Sequence, residues 1–440
     1  MFARILLRVV LLLASLTFPG ALHAEQTAAE KAGFAPSLTI YLARGAPGAC
    51  GPGCDRWIAI EGEIDANAAP RIRRFLAGVK DTQRPIYLHS PGGNVEQSYV
   101  IGRLLRSRKA VARVGQTIAS ACAAGTQVNA ACLKAKNAGG EIEAELVTYH
   151  AMCNSACTYV FLGATSREVA PDAALAVHNS RLVFAIHGHP PEALVAEFRR
   201  RQTASADHQR AAYIAAMGIG RELDDLIRTV KFENLHVLTR AELDRFGIDT
   251  RPVAETMWRL NKATRPYISK FATLRNEIGP SFRTMEWRLY CDNKNRVPLM
   301  FAAEIDETAS GQYTIMMTAD AAPTEEAGGR PVRSGKYEMW SGSLDFGTFR
   351  AMMASRSLHV RETTQKPDQT ADAAKADVAK ADLAKADLAK TDVAKFDIET
   401  TGLSSAWTQL SESCPPPATS APRGPSPAIP QPKVDATPAP

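Results

Sequence analysis

Short apolar runs alternate with amphipathic stretches over the first half of the chain, and this pattern predicts a layered α/β domain. Residues 66–80 and 95–107 repeat apolar side chains at helical spacing, so each predicts a helix. The apolar runs around them are rich in β-branched and aromatic residues and predict strands: SLTIYLA (37–43), RWIAIEG (56–62), PIYLHS (85–90) and AVARV (110–114). Such alternation is typical of βαβ units with a mainly parallel sheet.

The alternation stops at residues 116–148, where small residues, a Gly-Gly pair and two cysteines predict an insertion. It resumes with a buried helix beginning near Tyr159, a strand at 174–177 and a long helix at 190–217. A short helix, TRAELDRFG, with a glycine at its C-terminal end then closes the pattern. We therefore expect one domain over residues 37–250.

A different pattern follows residues 251–283, which predict a linker or helical bridge. Strand-like runs separated by polar turns come next: EWRLYC, PLMFAAEI, YTIMMTA, KYEMWSG and SLHVRET. The segment FDIETTGLSSAWTQLSESC (396–414) predicts a returning strand and helix. These elements predict a second, β-rich (α+β) domain over residues 284–414.

A five-residue Ala/Lys/Asp repeat interrupts this second domain at residues 367–396. Five residues turn an α-helix by about 500°, so the apolar side chains of successive repeats cannot share one face. We expect a spacer, either a solvated helix or a disordered segment. The Pro-rich tail at residues 415–440 is expected to be disordered.

Residues 1–24 have the three parts of a secretory signal peptide. Arg4 and Arg8 form a positive start, an apolar run follows, and ALHA supplies a small-residue cleavage point. We therefore expect a periplasmic or otherwise exported protein, with an uncleaved N-terminal anchor as the alternative. No other run approaches the ~18 apolar residues of a membrane span, so we expect no integral membrane segment in the mature chain.

Export would place the eight cysteines in an oxidising compartment, where disulfides persist. Cys50 and Cys54 would close a small ring over a Gly-Pro-Gly turn. Cys291 and Cys414 can pair with each other in the second domain.

The stretch CNSAC places Cys153 and Cys157 on either side of Ser155. A redox site would favour Cys-x-x-Cys spacing, so structural disulfides are the better interpretation. We expect these two cysteines to bond to Cys122 and Cys132 and so to tether the insertion beside the serine.

Charge and histidine spacing exclude two other classes of site. The net charge is +6 over 440 residues with no basic tract, so we expect no nucleic-acid partner. No Cys/His cluster has zinc spacing, and His187 with His189 is more typical of a surface loop than of a metal site. We therefore expect no metal and no cofactor.

Three features carry candidate chemistry, and each also has an ordinary structural explanation. The turn Ser90-Pro91-Gly92-Gly93 lies between a strand and a helix, where free backbone N–H groups can bind an anion. Ser155 precedes an apolar helical stretch, as an N-cap also would. His178 ends a strand-like run, where a histidine is often only structural. Their order along the chain favours a catalytic site over three unrelated features.

The stretches IYLHSPGGNVEQSYVIGRLLRSRKAVARVG, CNSACTYVFLGATSREVAPDAALAVH and LTRAELDRFGID together resemble the ClpP/crotonase superfamily. More narrowly, they resemble exported bacterial relatives of the Clp protease proteolytic subunit. The resemblance covers roughly residues 37–250 and implies a ClpP/crotonase-like βαβ spiral with serine peptidase activity. It also implies a peptide or protein substrate, and it leaves homo-oligomerisation open.

The resemblance also implies roles for the residues of the three motifs. Ser155 would be the nucleophile and His178 its general base. The N–H groups of Gly93 and Ala156 would form the oxyanion hole, and Gly92 would allow the tight turn. An extended substrate would pair along the turn, with Ser90, Pro91 and Asn94 as its substrate-binding residues.

The third catalytic member is less clearly marked than the first two. The family has an aspartate in the region that here reads GRELDDLIRTVKFENLHVLT. Glu233 is assigned this place, with Asp224 and Asp225 as alternatives. All three would equally fit as charges on a solvated helix face. A Ser-His dyad and an inactive site both stay open. Asn154 and the flanking cysteines also depart from the small residues that the family has around its serine.

Ser120 is a rival nucleophile, because its distance along the chain from Gly93 suits the family better than that of Ser155. No buried helix follows Ser120, and its base would have to be His150, which precedes no matching strand. Ser155 is therefore preferred.

The first hypothesis is an exported ClpP-like serine peptidase that acts without metal or cofactor. The alternative is a catalytically inactive ClpP-fold protein that binds peptides or a partner in the periplasm. Acyl-CoA chemistry of the crotonase type is less favoured, because its cofactor would be out of place after export.

Overall fold

The computed structural model describes residues 36–182, 184, 188–276, 281–291, 296–305, 312–319, 325–326, 332–365, 391–412 and 414. Within these ranges the protein has mixed α/β structure, with four sheets and nine α-helices. The predictions for the signal peptide, for residues 367–390 of the repeat, for the Pro-rich tail and for His187 lie outside the described residues.

The first part of the described chain alternates strands and helices, as the pattern predicted. Its strands are β1 (Thr39–Arg44), β2 (Arg56–Glu61), β3 (Ile86–His89), β4 (Val111–Val114), β5 (Gln116–Ala119), β6 (Glu141–Val147), β7 (Met152–Asn154), β8 (Ser166–Glu168), β9 (Ala174–Val177) and β10 (His236–Val237). Its helices are α1 (Ala68–Gly78), α2 (Val95–Ser107), α3 (Ala130–Lys136), α4 (Ala156–Gly163), α5 (Glu192–Ala216), α6 (Glu222–Thr229) and α7 (Arg240–Arg245).

A seven-stranded sheet in the order β5-β6-β1-β2-β3-β4-β8 forms the base of this part. Strands β2, β3, β4 and β8 pair in parallel, as βαβ connections require. A second sheet, β10-β9-β7, lies beside it, joined by a bridge between Ser90 and Cys153. The carboxyl ends of β3 and β7 are thereby brought together.

Residues 116–148 are more regular than the predicted insertion. Strand β6 pairs in parallel with β1, and β5 pairs antiparallel with β6, so this segment extends the main sheet. In β6 the sequence EIEAELV turns Ala144 and Leu146 inward and leaves glutamates outside. Its inner face packs against Trp57, whose indole N–H donates to Thr117 Oγ1 over 2.9 Å. The many small residues around these two short strands had concealed them.

Helix α4 lies in the first hydrophobic core, and every one of its residues is buried. It crosses α2 closely, because a Cβ on Gly163 would come within 2.2 Å of the carbonyl oxygen of Gly102. Tyr213 of α5 donates a hydrogen bond to the Tyr159 carbonyl over 2.6 Å. Rigid packing on these sides fixes the N-terminal end of α4, where Ser155 lies.

The second part of the described chain is β-rich, and it has its own core. Its strands are β11 (Val253–Glu255), β12 (Arg259–Asn261), β13 (Tyr267–Arg275), β14 (Phe282–Tyr290), β15 (Arg296–Glu304), β16 (Gln312–Ala319), β17 (Glu325–Glu326), β18 (Val332–Ser334), β19 (Tyr337–Asp345), β20 (Ser357–Gln365) and β21 (Thr391–Glu399). Helices α8 (Phe346–Ala354) and α9 (Leu403–Glu412) complete it. The register pairs Trp287 with Phe301 and Phe301 with Trp340, so three aromatic rings lie side by side across β14, β15 and β19.

Residues 251–283 do not form the predicted linker or helical bridge. They contribute β11, β12 and β13 and the start of β14 to the second part's larger sheet. Lys270 had concealed the strand pattern of β13, because it is charged and yet buried. Its ammonium lies 2.9 Å from Glu255 and also donates to the Thr256 carbonyl over 2.5 Å, so its burial is compensated. The last residues of the predicted spacer, from Thr391, likewise belong to a strand, β21.

The disulfides confirm two predicted pairs and correct the others. Cys50 bonds to Cys54, and Cys291 bonds to Cys414. The expected bonds between the insertion and CNSAC are wrong: the remaining bonds are Cys122–Cys132 and Cys153–Cys157. The turn at Ser155 brings the Cα atoms of its two flanking cysteines to 5.1 Å, which is within direct bonding range.

No helix within the described ranges has both the length and the apolar character that a bilayer crossing requires.

Candidate active site

Ser155 lies on a sharp corner between β7 and α4. Its backbone has φ 55° and ψ −120°, a conformation that non-glycine residues adopt only under strain. Its N–H donates to the Ala176 carbonyl over 2.8 Å, and the hydroxyl of Thr158 donates to the same carbonyl over 2.9 Å. The serine hydroxyl makes no capping hydrogen bond to α4, so the N-cap explanation does not apply to this residue.

His178 follows β9, which pairs in parallel with β7. Parallel strands end at the same edge of a sheet, so the residues after β7 and β9 meet there. The Nε2 atom of His178 lies 2.7 Å from the Oγ of Ser155, which is hydrogen-bonding distance. The histidine is 7% exposed and the serine is partly exposed, so the pair is held in place yet open to solvent.

The other ring nitrogen of His178 is held by the main chain. Its Nδ1 lies 2.6 Å from the carbonyl oxygen of Phe232, and the two rings pack with centroids 4.9 Å apart. A carbonyl oxygen only accepts hydrogen bonds, so Nδ1 carries the proton and Nε2 presents a lone pair to the serine hydroxyl.

The acidic candidates for the third position have other surroundings. Glu233 is exposed, although it directly follows the residue whose carbonyl meets His178. Asp224 is buried against Arg210 and Arg228, with nitrogen–oxygen distances of 2.7 and 2.8 Å. Phe232 was missed by sequence reasoning, because a main-chain carbonyl leaves no mark in the residue pattern.

The glycine turn packs directly on the serine corner. Gly92 and Gly93 have φ values of +109° and +135°, which side chains rarely allow. A Cβ on Gly92 would lie 2.8 Å from the Cβ of Ser155 and 3.1 Å from the nitrogen of Ala156. The turn and the start of α4 are therefore in contact.

Hydrogen bonds to Ile64 orient the Gly93 peptide group. The Ile64 N–H donates to the Gly92 carbonyl over 2.8 Å, and the Asn94 N–H donates to the Ile64 carbonyl over 2.7 Å. Groups on either side of Gly93 thus face Ile64, so its own N–H points the opposite way, as alternation along an extended chain requires. The N–H of Ala156, at the positive end of α4, is the second donor at this corner.

Of the three predicted substrate-binding residues, Ser90 is buried inside the turn, whereas Pro91 and Asn94 are exposed at its surface. The Oγ of Ser90 accepts from the Gly92 N–H over 3.1 Å, and Ser90 is 1% exposed. Asn94 caps α2 by accepting from the Gln97 N–H over 2.9 Å. Pro91 is exposed at the edge of the turn. The Gly92 N–H is therefore already bonded, and Gly92 acts through its conformation.

A neutral histidine lies behind the turn. His89, the last residue of β3, accepts a hydrogen bond at Nδ1 from the Met152 N–H over 3.2 Å. Burial lowers the pKa of His89 below its ordinary value, which favours the neutral ring that this bond requires. This contact joins β3, which carries the glycine turn, to β7, which carries the serine.

The rival pair does not come together. Ser120 follows β5 and bonds through its N–H to Glu143 at one end of the β5–β6 pair. His150 follows β6 at the other end, beyond Val147, with its ring 3.7 Å from that of Tyr149. The antiparallel pairing thus separates these two residues by the length of the strands.

No family model matches the sequence. No curated protein matches it either. Among solved structures, the chain is similar to a serine-to-alanine mutant of the 1510-N membrane-bound stomatin-specific protease, with 16% identity and a TM-score of 0.26 over 42% of this chain and 73% of that one. It is also similar to a lysine-to-alanine mutant of the same protease in complex with a substrate peptide, with 16% identity and a TM-score of 0.26 over 43% and 71%. A function for this chain therefore has to be argued from its own site.

Proposed function

We propose that this chain is an exported ClpP-like serine peptidase that cleaves peptides through Ser155 and His178. The observation that carries the proposal is the 2.7 Å contact between Ser155 Oγ and His178 Nε2 at a strained strand-to-helix corner. Such corners expose a nucleophile while a helix N-terminus supports it from behind.

The geometry supports an acyl-enzyme mechanism. The Ser155 hydroxyl gives its proton to His178 Nε2 as its oxygen attacks the substrate carbonyl. The resulting oxyanion is stabilised by the N–H groups of Gly93 and Ala156. His178 then returns the proton to the leaving amine. In the second half of the reaction His178 takes a proton from water, which attacks the acyl group, and gives that proton to the departing oxygen of Ser155.

The Phe232 carbonyl serves this mechanism by holding the histidine. It keeps the proton on Nδ1, so that Nε2 is free to accept the proton of the serine. As the imidazolium forms, the carbonyl dipole also stabilises the new positive charge on the ring. We assign this positioning role to Phe232 in place of Glu233.

Export and the fold class belong to the same proposal. Four disulfides support an oxidising compartment, and residues 1–24 have the pattern of a signal peptide. The parallel order β2-β3-β4-β8 with interleaved helices is consistent with the βαβ spiral of the ClpP/crotonase superfamily.

Labelling with a fluorophosphonate probe tests the proposal, because the probe reacts with an activated serine and needs no knowledge of the substrate. We expect labelling of the wild type and of Ser120→Ala, and none of Ser155→Ala. His178→Ala should lower the labelling rate at least about 100-fold, since it removes the general base. Hydrolysis of denatured β-casein, followed by mass spectrometry, should show the same order.

Two outcomes would overturn the proposal. One is a folded wild-type protein that neither labels nor cleaves casein, which would favour a peptide-binding role. The other is labelling that persists in Ser155→Ala and disappears in Ser120→Ala.

A further inference from the structure

A cavity of about 380 Å³ opens beside the catalytic histidine. One wall is the segment that directly follows His178, and the other is the middle of α5, from Arg199 to Arg210. Its lining is basic and partly apolar, and includes Arg181, Leu182, Phe184, Arg199, Asp207 and Arg210.

Among the described residues, the lining carries three arginines against one aspartate. Arg210 is 2% exposed and already neutralised, since it lies 2.9 Å from Asp207 and 2.7 Å from Asp224. Arg181 and Arg199 are exposed, and within the described ranges neither forms an ion pair with an acidic side chain. Arg181 and Arg199 therefore give the cavity excess positive charge, one from each wall, whereas Arg210 is already paired.

Arg181 connects this cavity to the proposed catalytic pair. Its guanidinium carbon lies 5.9 Å from the ring centroid of Phe232, and that ring packs against His178. The neighbouring Asn179 is anchored, because its N–H donates to the Val230 carbonyl over 2.9 Å. The wall that follows His178 thus contacts Phe232, the residue whose carbonyl holds the histidine.

The direction of the chemistry determines which part of a substrate reaches this wall. His178 must protonate the leaving amine, so the chain after the scissile bond has to pass on the histidine side of Ser155. The acyl oxygen faces the opposite side, toward Gly93 and Ala156. The fragment that leaves first therefore runs toward Arg181 and Arg199.

We infer that this cavity selects substrates with a carboxylate in the leaving fragment, an inference that rests on the proposed peptidase function. Guanidinium groups bind carboxylates by charge and by paired hydrogen bonds. Leu182 and Phe184 offer an apolar wall for the short stem that carries such a group. The carboxylate can belong to an acidic side chain or to the C-terminus of a short peptide.

Matched synthetic peptides separate these two sources. The cleavage sites found in β-casein supply a core sequence for synthetic peptides. For each of the first three positions after the scissile bond, one pair of peptides is made that differs only in having Glu or Gln at that position. All of these peptides carry an amidated C-terminus. A second pair keeps Gln throughout and compares a free C-terminal acid with its amide.

We expect the wild type to cleave the carboxylate member of one pair about tenfold faster by kcat/KM than its amide partner. In Arg181→Gln/Arg199→Gln the ratio should fall to about twofold or less, because the charges that make the distinction are gone. Arg200→Gln is the matched control: it removes the same charge from the adjacent position of α5, outside the cavity lining, and should keep the ratio. The preference should also weaken as salt is raised from about 0.05 to 0.5 M.

Each ratio compares the cleavage rates of two peptides by the same enzyme preparation. Partial misfolding of a variant would lower both rates equally, so it cannot produce a change in the ratio. Arg210 is left unchanged, since breaking its buried ion pairs would destabilise the fold. Binding of the same peptides to Ser155→Ala, measured by fluorescence anisotropy, gives a readout that does not require turnover.

The inference is overturned if a labelled, active wild type shows equal rates for all pairs, or if the double variant keeps the full ratio. Either result leaves the peptidase proposal intact. If the wild type is not labelled by fluorophosphonate, the peptidase proposal is overturned. Equal binding of the acid and amide peptides to Ser155→Ala would then overturn the inference about the cavity as well.

Discussion

At the scale of single residues, Ser155 combines an unfavourable backbone conformation with a tightly packed setting. A non-glycine residue at φ 55° and ψ −120° costs on the order of 1–3 kcal/mol and persists only where its neighbours determine it. Here the neighbours are the Ala176 carbonyl, which binds the serine N–H, and Gly92, which leaves no space between the turn and the serine. The position of Ser155 therefore depends on the absence of a side chain at position 92.

Gly92→Ala tests this dependence. A Cβ there would lie 2.7 Å from the Asn154 carbonyl oxygen and 2.8 Å from the Ser155 Cβ, so the serine must move. We expect fluorophosphonate labelling to slow about 100-fold or more, as a misplacement of about 1 Å can cause. Gly218→Ala is the control, since Gly218 also has a positive φ, +69°, but has nothing within 4 Å of an added Cβ. Wild-type labelling of Gly92→Ala would contradict this account.

At the scale of secondary-structure elements, two parallel strands bring Ser155 and His178 together. β7 ends at Ser155 and β9 ends at His178, so their pairing brings together residues that are far apart in the sequence. The Cys153–Cys157 disulfide joins the end of β7 to the first turn of α4 and spans the serine. Both cysteines are almost fully buried, so the bond braces the corner from the side of the core.

Removal of this disulfide should affect the rate and stability together. In Cys153→Ala/Cys157→Ala we expect about 2 kcal/mol less free energy of unfolding, the chain-entropy value for so short a loop. We also expect labelling about 10- to 100-fold slower, because the corner can relax toward ordinary backbone angles. Cys50→Ala/Cys54→Ala removes a disulfide of the same sequence separation, 4, away from the serine. This control should lose similar stability, measured by urea unfolding, and keep the wild-type labelling rate. Equal labelling rates in the two double variants would show that the Cys153–Cys157 disulfide does not position Ser155.

At the scale of the whole molecule, Asp249 connects the first sheet to the segment that enters the second core. Its carboxylate accepts from the Val169 N–H over 2.9 Å and forms ion pairs with Arg240 and Arg251. Burial is the largest single influence on Asp249 and opposes its ionisation. The hydrogen bonds and charges of the two arginines outweigh burial and lower its pKa to about 2.

Asp249 should therefore contribute to acid sensitivity. A carboxyl whose pKa is lower in the folded state stabilises the fold above its ordinary pKa of 3.8, and that contribution is lost as the pH falls toward 2. The loss amounts to about 2 kcal/mol in the free energy of unfolding. Asp249→Asn should lose about 3–5 kcal/mol at pH 7, since Arg240 loses its acidic partner and Arg251 keeps only Glu168. Its acid limb should also be shallower.

Urea unfolding at pH values from about 2 to 7 measures both effects. Asp225→Asn is a suitable control, because Asp225 is exposed and 3.9 Å from Arg221 in an ordinary surface pair. An Asp249→Asn protein with the stability and acid limb of the wild type would show that this junction is not held by charge.

Much of the architecture follows from local patterns. The strand and helix order of the first part, including α2 over Val95–Ser107, is readable because apolar spacing reports which face is buried. The second part's strand runs are equally visible. The strands at 116–148 were missed because small residues surround them. In 251–283, β11 and β12 have only 3 residues each, and β13 carries a buried lysine, Lys270, whose ion pair forms only in the folded chain.

For the candidate site, the sequence by itself determined which residue types stand in which order: a glycine turn, a serine before an apolar helix and a histidine after a strand. Tertiary structure alone decided that the serine and the histidine lie 2.7 Å apart, and that Cys153 bonds to Cys157. It also decided that the Phe232 carbonyl, rather than the side chain of Glu233, meets the histidine. The physical reason is that residue pattern encodes burial and local conformation, whereas the partner of a side chain depends on strand pairing and on main-chain atoms that every residue shares.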